Sequence, residues 1–183
     1  GLLASRPALS KQRIHGKGFF DGTGLRFVGV EHRGNTNESV EEARAIGALI
    51  DELLASKATW TNAEGKEHRL TAKDVLVITP YNAQVATIRG HVPKEVDVGT
   101  VDKFQGQEAP IAIYSLATST PGEAPRGMDF LYSANRLNVA ISRARCISVV
   151  VGSPALFRVQ CQTLRQMELA NAFCRFLELA TRA

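Results

Sequence analysis

The sequence predicts an α/β domain in which helices cover a parallel β-sheet. Three apolar runs, at residues 75–78, 111–116 and 147–151, are nearly continuous and alternate weakly. Strands buried on both faces have this pattern. Segments with helical spacing separate the runs, as in a sheet whose parallel strands are joined by helical crossovers. The 183 residues, 44% apolar and 22% charged, suit one ordinary globular domain with a substantial core.

Taken in order, residues 1–24 are rich in Gly and Lys with little periodicity and are expected to form a loose lead-in, so the domain proper spans 25–183. Residues 25–30 read as the first strand. Ser39 followed by Glu42 has the spacing of a capping box. After it Val40, Ala43, Ile46, Leu49, Ile50, Leu53 and Leu54 recur at helical spacing, predicting a helix over 40–55 with Glu41, Asp51 and Glu52 in solvent. Residues 60–73 are a polar excursion with a turn at Glu64-Gly65, expected as a small hairpin. Helices are predicted at about 83–89 and 136–143. A last amphipathic helix carries Leu164, Met167, Ala170, Phe173, Cys174, Leu177 and Ala180.

Composition excludes several classes. Cys146, Cys161 and Cys174 are widely spaced and odd in number, and the four histidines do not cluster with them. A disulfide framework and a zinc site are therefore not expected, and reduced thiols in a cytoplasmic setting are. No apolar run has membrane-spanning length and no secretory signal is visible, so no membrane partner is expected. The net charge of +4 suits a nucleic-acid face without specifying one. Opening at Gly1 without a Met, the sequence reads as part of a longer protein.

Three segments carry chemistry. In an open parallel sheet, ligands bind where strands lead into loops at their carboxyl ends. Thr79-Pro80-Tyr81-Asn82-Ala83-Gln84 and the Thr100 segment both follow predicted strands, and their hydroxyls, amides and backbone N–H groups suit a phosphodiester backbone. An ordinary turn and helix start would look the same at Pro80-Tyr81-Asn82. In Val98-Gly99-Thr100-Val101-Asp102-Lys103-Phe104-Gln105-Gly106-Gln107-Glu108, Gly106 permits close backbone approach to a phosphate and Glu108 offers acceptors to ribose hydroxyls. In Asn135-Arg136-Leu137-Asn138-Val139-Ala140-Ile141-Ser142-Arg143-Ala144-Arg145, Arg136 and Arg143 stand two helical turns apart and are expected to share a face, with Arg145 off it. No G-x-x-x-x-G-K-[ST] loop occurs, so one wall of a nucleotide site is legible and the phosphate-cradling wall is not.

Together the last two segments resemble motifs V and VI of superfamily 1 helicases, in the 5′-to-3′ branch that includes the nonsense-decay RNA helicases and the DNA replication nuclease–helicases. Residues 77–84 resemble the motif after a strand of that branch's second domain, and the likeness covers about 25–153. The C-terminal stretch, with Arg165-Gln166-Met167 and the helix after it, is similar to bacterial fusions of a RecB-like nuclease with such a helicase.

The resemblance implies a RecA-like domain, the C-terminal motor half of an ATP-dependent helicase acting on single-stranded nucleic acid, DNA above RNA, in DNA repair or processing. It implies that Arg143 is an arginine finger at the γ-phosphate, and that Gly106, Glu108, Gln105 and Arg136 serve the nucleotide side. Pro80, Tyr81, Asn82, Thr100 and Val101 would touch the strand. ATP and Mg²⁺ would be held mainly by an N-terminal RecA-like partner domain, with a RecB-like nuclease further upstream. Gln12-Arg13-Ile14-His15 lacks the Tyr and Pro of the motif that relatives carry before this domain and is read as coincidence. Ser39 stands where relatives often have Asn, and both residues cap well. The alternative is a non-catalytic docking or nucleic-acid-binding module of the same fold. A nuclease in this segment is not expected, because no carboxylate pair with a suitably spaced lysine lies on the predicted strands.

Overall fold

A computed structural model of the chain describes residues 11–104 and 106–182. Six strands form the main sheet in the order β6-β5-β7-β8-β2-β9. They are β2 (Gly24–Gly29), β5 (Val75–Thr79), β6 (Asp97–Thr100), β7 (Ala109–Ser115), β8 (Ala144–Gly152) and β9 (Thr181–Arg182). Every neighbouring pair is parallel. The three apolar runs are the sheet's centre: β5 and β7 are buried at every residue.

The pleat sends alternate residues to two cores. Val75, Val77, Ile111, Ile113, Val149 and Val151 pack toward α1 (Val40–Ala55) and α2 (Asn82–Arg89). Leu76, Ile78, Ala112, Tyr114 and Val150 pack on the opposite face. That face is covered by α3 (Gly127–Leu131), α4 (Ala134–Ile141) and α5 (Leu164–Leu179). The predicted α/β class and the helix over 40–55 are both present.

Four local expectations are corrected. The segment 11–24 is ordered: β1 (Arg13–His15) pairs antiparallel with β3 (Thr59–Thr61), and Ile14 and Phe20 are buried. Its anchor is the predicted hairpin of β3 and β4 (Glu67–Arg69). Residues 1–10 of the expected lead-in lie outside the described residues. At the start of α1, Ser39 Oγ accepts from the Glu42 N–H at 3.1 Å, but the Glu42 side chain does not return to complete the box. It is wholly buried and bonds elsewhere. On α5 the buried stripe is Leu169, Ala170, Phe173 and Phe176, whereas Leu164 and Met167 are exposed, so the apolar face is rotated from the predicted one. The helix predicted over 136–143 ends at Ile141, with Ser142 as its C-cap. Among the described residues, no helix is long and apolar enough to cross a membrane.

Candidate nucleotide and strand sites

The predicted site residues fall into two groups at opposite ends of the sheet. One lies at the amino ends of β7 and β8. There the Ala109 N–H donates to the Arg143 carbonyl at 2.9 Å, tying the end of one motif to the end of the other. The loop between β6 and β7 is pinned by the buried side chains of Val101 and Phe104. Two turn bonds shape it, from the Lys103 N–H to the Thr100 carbonyl (3.0 Å) and from the Gln107 N–H to the Phe104 carbonyl (3.1 Å). Gly106 has φ +84°, a left-handed conformation that favours glycine. A Cβ built there meets nothing within 4 Å, so the backbone is open to approach from outside.

Arg143 follows the end of α4, and its guanidinium folds back over this loop. Nε donates to the Val139 carbonyl at 3.1 Å, and Nη1 reaches the Phe104 and Gln107 carbonyls at 3.5 and 3.4 Å. Nη2 lies 3.1 Å from Ser142 Oγ. All these acceptors are neutral. They orient the group, and no described carboxylate forms an ion pair with it, although Asp102 lines the same cleft. Arg143 and Gly106 share a cleft of about 460 Å³ with Val101, Asp102 and Val139. A half-buried cation beside an open glycine turn is a donor set that fits phosphate oxygens.

Glu108 stands at the same end, with its carboxylate 3.4 Å from Arg145 Nε. Both side chains are substantially exposed, so the pair contributes little and yields readily to a competing partner. Arg145, set apart from the arginine face in the sequence, therefore finds its partner within the same motif pair. Gln105 lies outside the described residues.

The second group lies at the carboxyl ends of the strands. Thr79 and Thr100 are register partners in the β5–β6 pair, the last residues of their strands. Thr100 is half-buried, whereas Val101 is buried and lines the Arg143 cleft, so it falls with the first group and not with the strand-facing residues expected. Pro80 and Tyr81 do not project as expected: both are buried, Tyr81 at 7% exposure, and only Asn82 of the three is exposed. The Tyr81 ring turns inward because it packs 5.7 Å from the ring of Phe130. Its hydroxyl lies 3.4 Å from Thr118 Oγ1. Burial pushes the phenol pKa up, against smaller opposing effects of Thr118, Arg126 and Arg136.

Arg136 belongs here and not with Arg143. Its guanidinium carbon sits 4.2 Å from the centre of the Phe130 ring, and that of Arg126 sits 3.9 Å from the same centre. The shared helical face expected for Arg136 and Arg143 fails because α4 stops before Arg143.

Between these groups and α1 runs a polar network that the sequence reading missed. The Glu42 carboxyl group accepts from Ser115 Oγ (2.7 Å) and the Ala117 N–H, and lies 2.9 Å from His32 Nε2. His32 Nδ1 lies 2.7 Å from Ser119 Oγ. Gln84, expected at the edge, is wholly buried: its Nε2 donates to Ser115 Oγ (3.0 Å), while its Oε1 accepts from the Ser39 N–H (2.7 Å). Ser119, His32 and Glu42 have the order of a hydrolytic triad, yet Ser119 is inaccessible and already accepts from the Asn35 N–H at 3.0 Å. The network is architectural. The signal for Glu42 was its place on the buried stripe of α1, four residues before Ile46.

The AAA domain family matches residues 19–155. The DNA polymerase alpha-associated DNA helicase A of Schizosaccharomyces pombe is 46% identical over 89 residues, covering 47% of this chain and 13% of that protein. The regulator of nonsense transcripts 1 homolog of Arabidopsis thaliana is 37% identical over 131 residues, covering 60% of this chain and 10% of that protein. Helicase sen1 of S. pombe is 33% identical over 135 residues, 68% of this chain and 7% of that protein. The chain thus spans less than a fifth of the length of these relatives. With a parallel sheet covered on both faces, and a family match over most of its length, the chain belongs to the AAA domain family as a superfamily 1 helicase domain.

Proposed function

We propose that this domain is the second of two RecA-like lobes in an ATP-dependent nucleic-acid helicase, one that works on DNA in repair or processing. A neighbouring N-terminal lobe would supply the phosphate loop and hold Mg²⁺. This chain would close over the nucleotide from the other side. The observation that carries the reading is Arg143, whose half-buried charged group is fixed by neutral carbonyls beside the open turn at Gly106.

In this reading ATP supplies the phosphoryl group whose transfer to water drives the motor. Arg143 would neutralise charge that develops on the γ-phosphate as the bond breaks, an effect typically of ~10³ to 10⁵ in rate, or roughly 4 to 7 kcal/mol of barrier. Gly106 would offer its backbone N–H, and Glu108 would exchange Arg145 for ribose hydroxyls. Gln105 is proposed for the same side. Closure of the cleft would move this lobe relative to its neighbour, and Thr100, Asn82 and the backbone at Pro80 would carry the strand with it. The helicase/nuclease JHS1 of A. thaliana, 31% identical over 113 residues, supports a place for a nuclease elsewhere in the protein. A cytoplasmic setting belongs to the same proposal.

The test is Arg143→Ala in the full-length protein. Turnover at saturating ATP is expected to fall by ~10³ or more, with single-strand affinity nearly unchanged, since the arginine acts mainly in the transition state. Intact turnover would remove Arg143 from the nucleotide side. The 183-residue chain alone is expected to hydrolyse ATP at background rate.

A further inference from the structure

We propose that Arg126 and Arg136, stacked on the ring of Phe130, form a clamp for the phosphodiester backbone of single-stranded nucleic acid. This deepens the helicase reading and rests on it. The two guanidinium carbons lie 3.9 and 4.2 Å from one ring centre, so they can be no further apart than those two distances combined. Two like charges this close repel, weakly where water reaches them, and a bound anion would remove the repulsion. The aromatic ring offsets part. No described carboxylate does the rest.

The nearby acids are engaged elsewhere. Asp129, the only carboxylate of α3, pairs with Arg165 at 3.1 Å, and Glu123 accepts from Thr120 Oγ1 at 2.8 Å. Arg126 is exposed and Arg136 half-buried, so solvent or a ligand reaches both. A guanidinium stacked on a ring uses its flat face and keeps its N–H fork free at the edge, the geometry that takes phosphate oxygens two at a time. The ring is thus a spacer between two guanidinium groups, each held close to the same centre.

Position selects the ligand. Phe130 packs on Tyr81, which precedes α2 at the carboxyl end of β5, where Thr79 lies in register with Thr100. The clamp is therefore adjacent to the edge proposed to carry the strand and distinct from the Arg143 group at the amino ends of β7 and β8. A flat guanidinium also stacks on exposed bases, which a single strand offers and an acidic peptide does not.

The experiment measures binding of a fluorescently labelled oligo(dT) to the 183-residue chain by anisotropy across a series of KCl concentrations. Each single-strand phosphate contact contributes about 0.7 to the slope of log affinity against log salt. Arg126→Ala and Arg136→Ala are each expected to flatten the slope by about 0.7, and the double variant by about 1.4. Arg126→Lys keeps the charge and is expected to keep the slope while binding more weakly. Thr100→Ala should weaken binding without flattening it. Far-UV circular dichroism checks folding, and the exposed Arg126 is the safer of the two sites. Wild-type slopes in both alanine variants, with Thr100→Ala still weakened, would overturn the clamp and leave the helicase reading intact. A wild-type chain that ignores oligo(dT) at low salt but binds poly-glutamate through Arg126 would overturn both.

Discussion

Both carboxyl oxygens of Glu42 accept hydrogen bonds from the backbone N–H of Ala117, at 3.1 and 3.0 Å. Ala117 has φ +65°, a left-handed conformation that a residue with a Cβ adopts reluctantly. A side chain from the first turn of α1 thus holds the chain in a strained turn just after β7. The turn delivers Thr118 to the Tyr81 hydroxyl and to the Thr36 carbonyl, 2.6 Å away.

Removing that anchor is expected to be costly. Glu42→Ala leaves His32, Ser115 and the Ala117 N–H without their shared buried partner, a loss of about 3 kcal/mol or more. In a domain of this size that lowers the melting midpoint by about 6 to 12 °C. Thermal unfolding followed by circular dichroism measures it. Glu42→Gln, which keeps an acceptor, is expected to lose less than half as much. Equal midpoints for wild type and Glu42→Ala would mean the network contributes nothing net.

Gly106→Ala separates conformation from contact. The added methyl meets nothing, so only the left-handed backbone is penalised, by roughly 1 to 2 kcal/mol. The strain falls on a surface turn between two anchored residues. The expected result is a raised KM for ATP in the full-length protein, with a melting midpoint within about 4 to 8 °C of wild type. A KM equal to that of the wild type would show that the turn does not meet the nucleotide.

Tyr81→Phe and Asn82→Ala are expected to diverge. The Tyr81 ring is interior, so removing its hydroxyl costs only the long contact to Thr118, about 0.5 to 1 kcal/mol, and leaves strand affinity alone. Asn82 is exposed at the start of α2, and its truncation should weaken binding to single strands severalfold without altering stability. Parallel loss of affinity in both variants would mean the phenol reaches the strand after all.

The thiols should react in a set order. Burial pushes the Cys146 pKa up to about 11, with Arg145 a smaller opposing influence. At pH 8 about one Cys146 side chain in a thousand is then a thiolate, and the residue is buried besides. Iodoacetamide is expected to modify Cys161 and Cys174, both partly accessible, well before Cys146, as peptide mass mapping would show. Because the folded pKa lies above the ordinary thiol value, Cys146 favours the native state below about pH 8.5, and that advantage fades as pH rises toward 11. Rapid labelling of Cys146 in the native protein would contradict its burial.

Long, strongly patterned segments were legible. The sixteen residues of α1 announce both ends through the Ser39 cap and the apolar stripe, and β5, β7 and β8 through nearly continuous apolar runs. The five-residue α3 and two-residue β9 are too short to show a period, and tertiary contacts fix them. The site was half legible. Motif spacing expected Arg143, Gly106 and Glu108 to stand together; Arg143 and Gly106 line one cleft, and Glu108 pairs with Arg145 at the same end of the sheet. It misplaced Arg136, because a seven-residue interval implies one face only while the helix lasts, and this helix ends two residues too soon. Arg126 and Phe130 carry no signal until α3 folds back toward α4 and Tyr81.

β7 joins the two groups directly. At its first residue it is bonded to Arg143, and just past its last it bears the turn that Glu42 holds beside Tyr81. Seven residues of extended chain, ~20 Å, lie between, buried throughout and clasped by neighbours on both sides. Such a strand resists both stretching and bending. It is a stiff rod: a displacement of the end bonded to Arg143 carries with it the end that lies beside Tyr81.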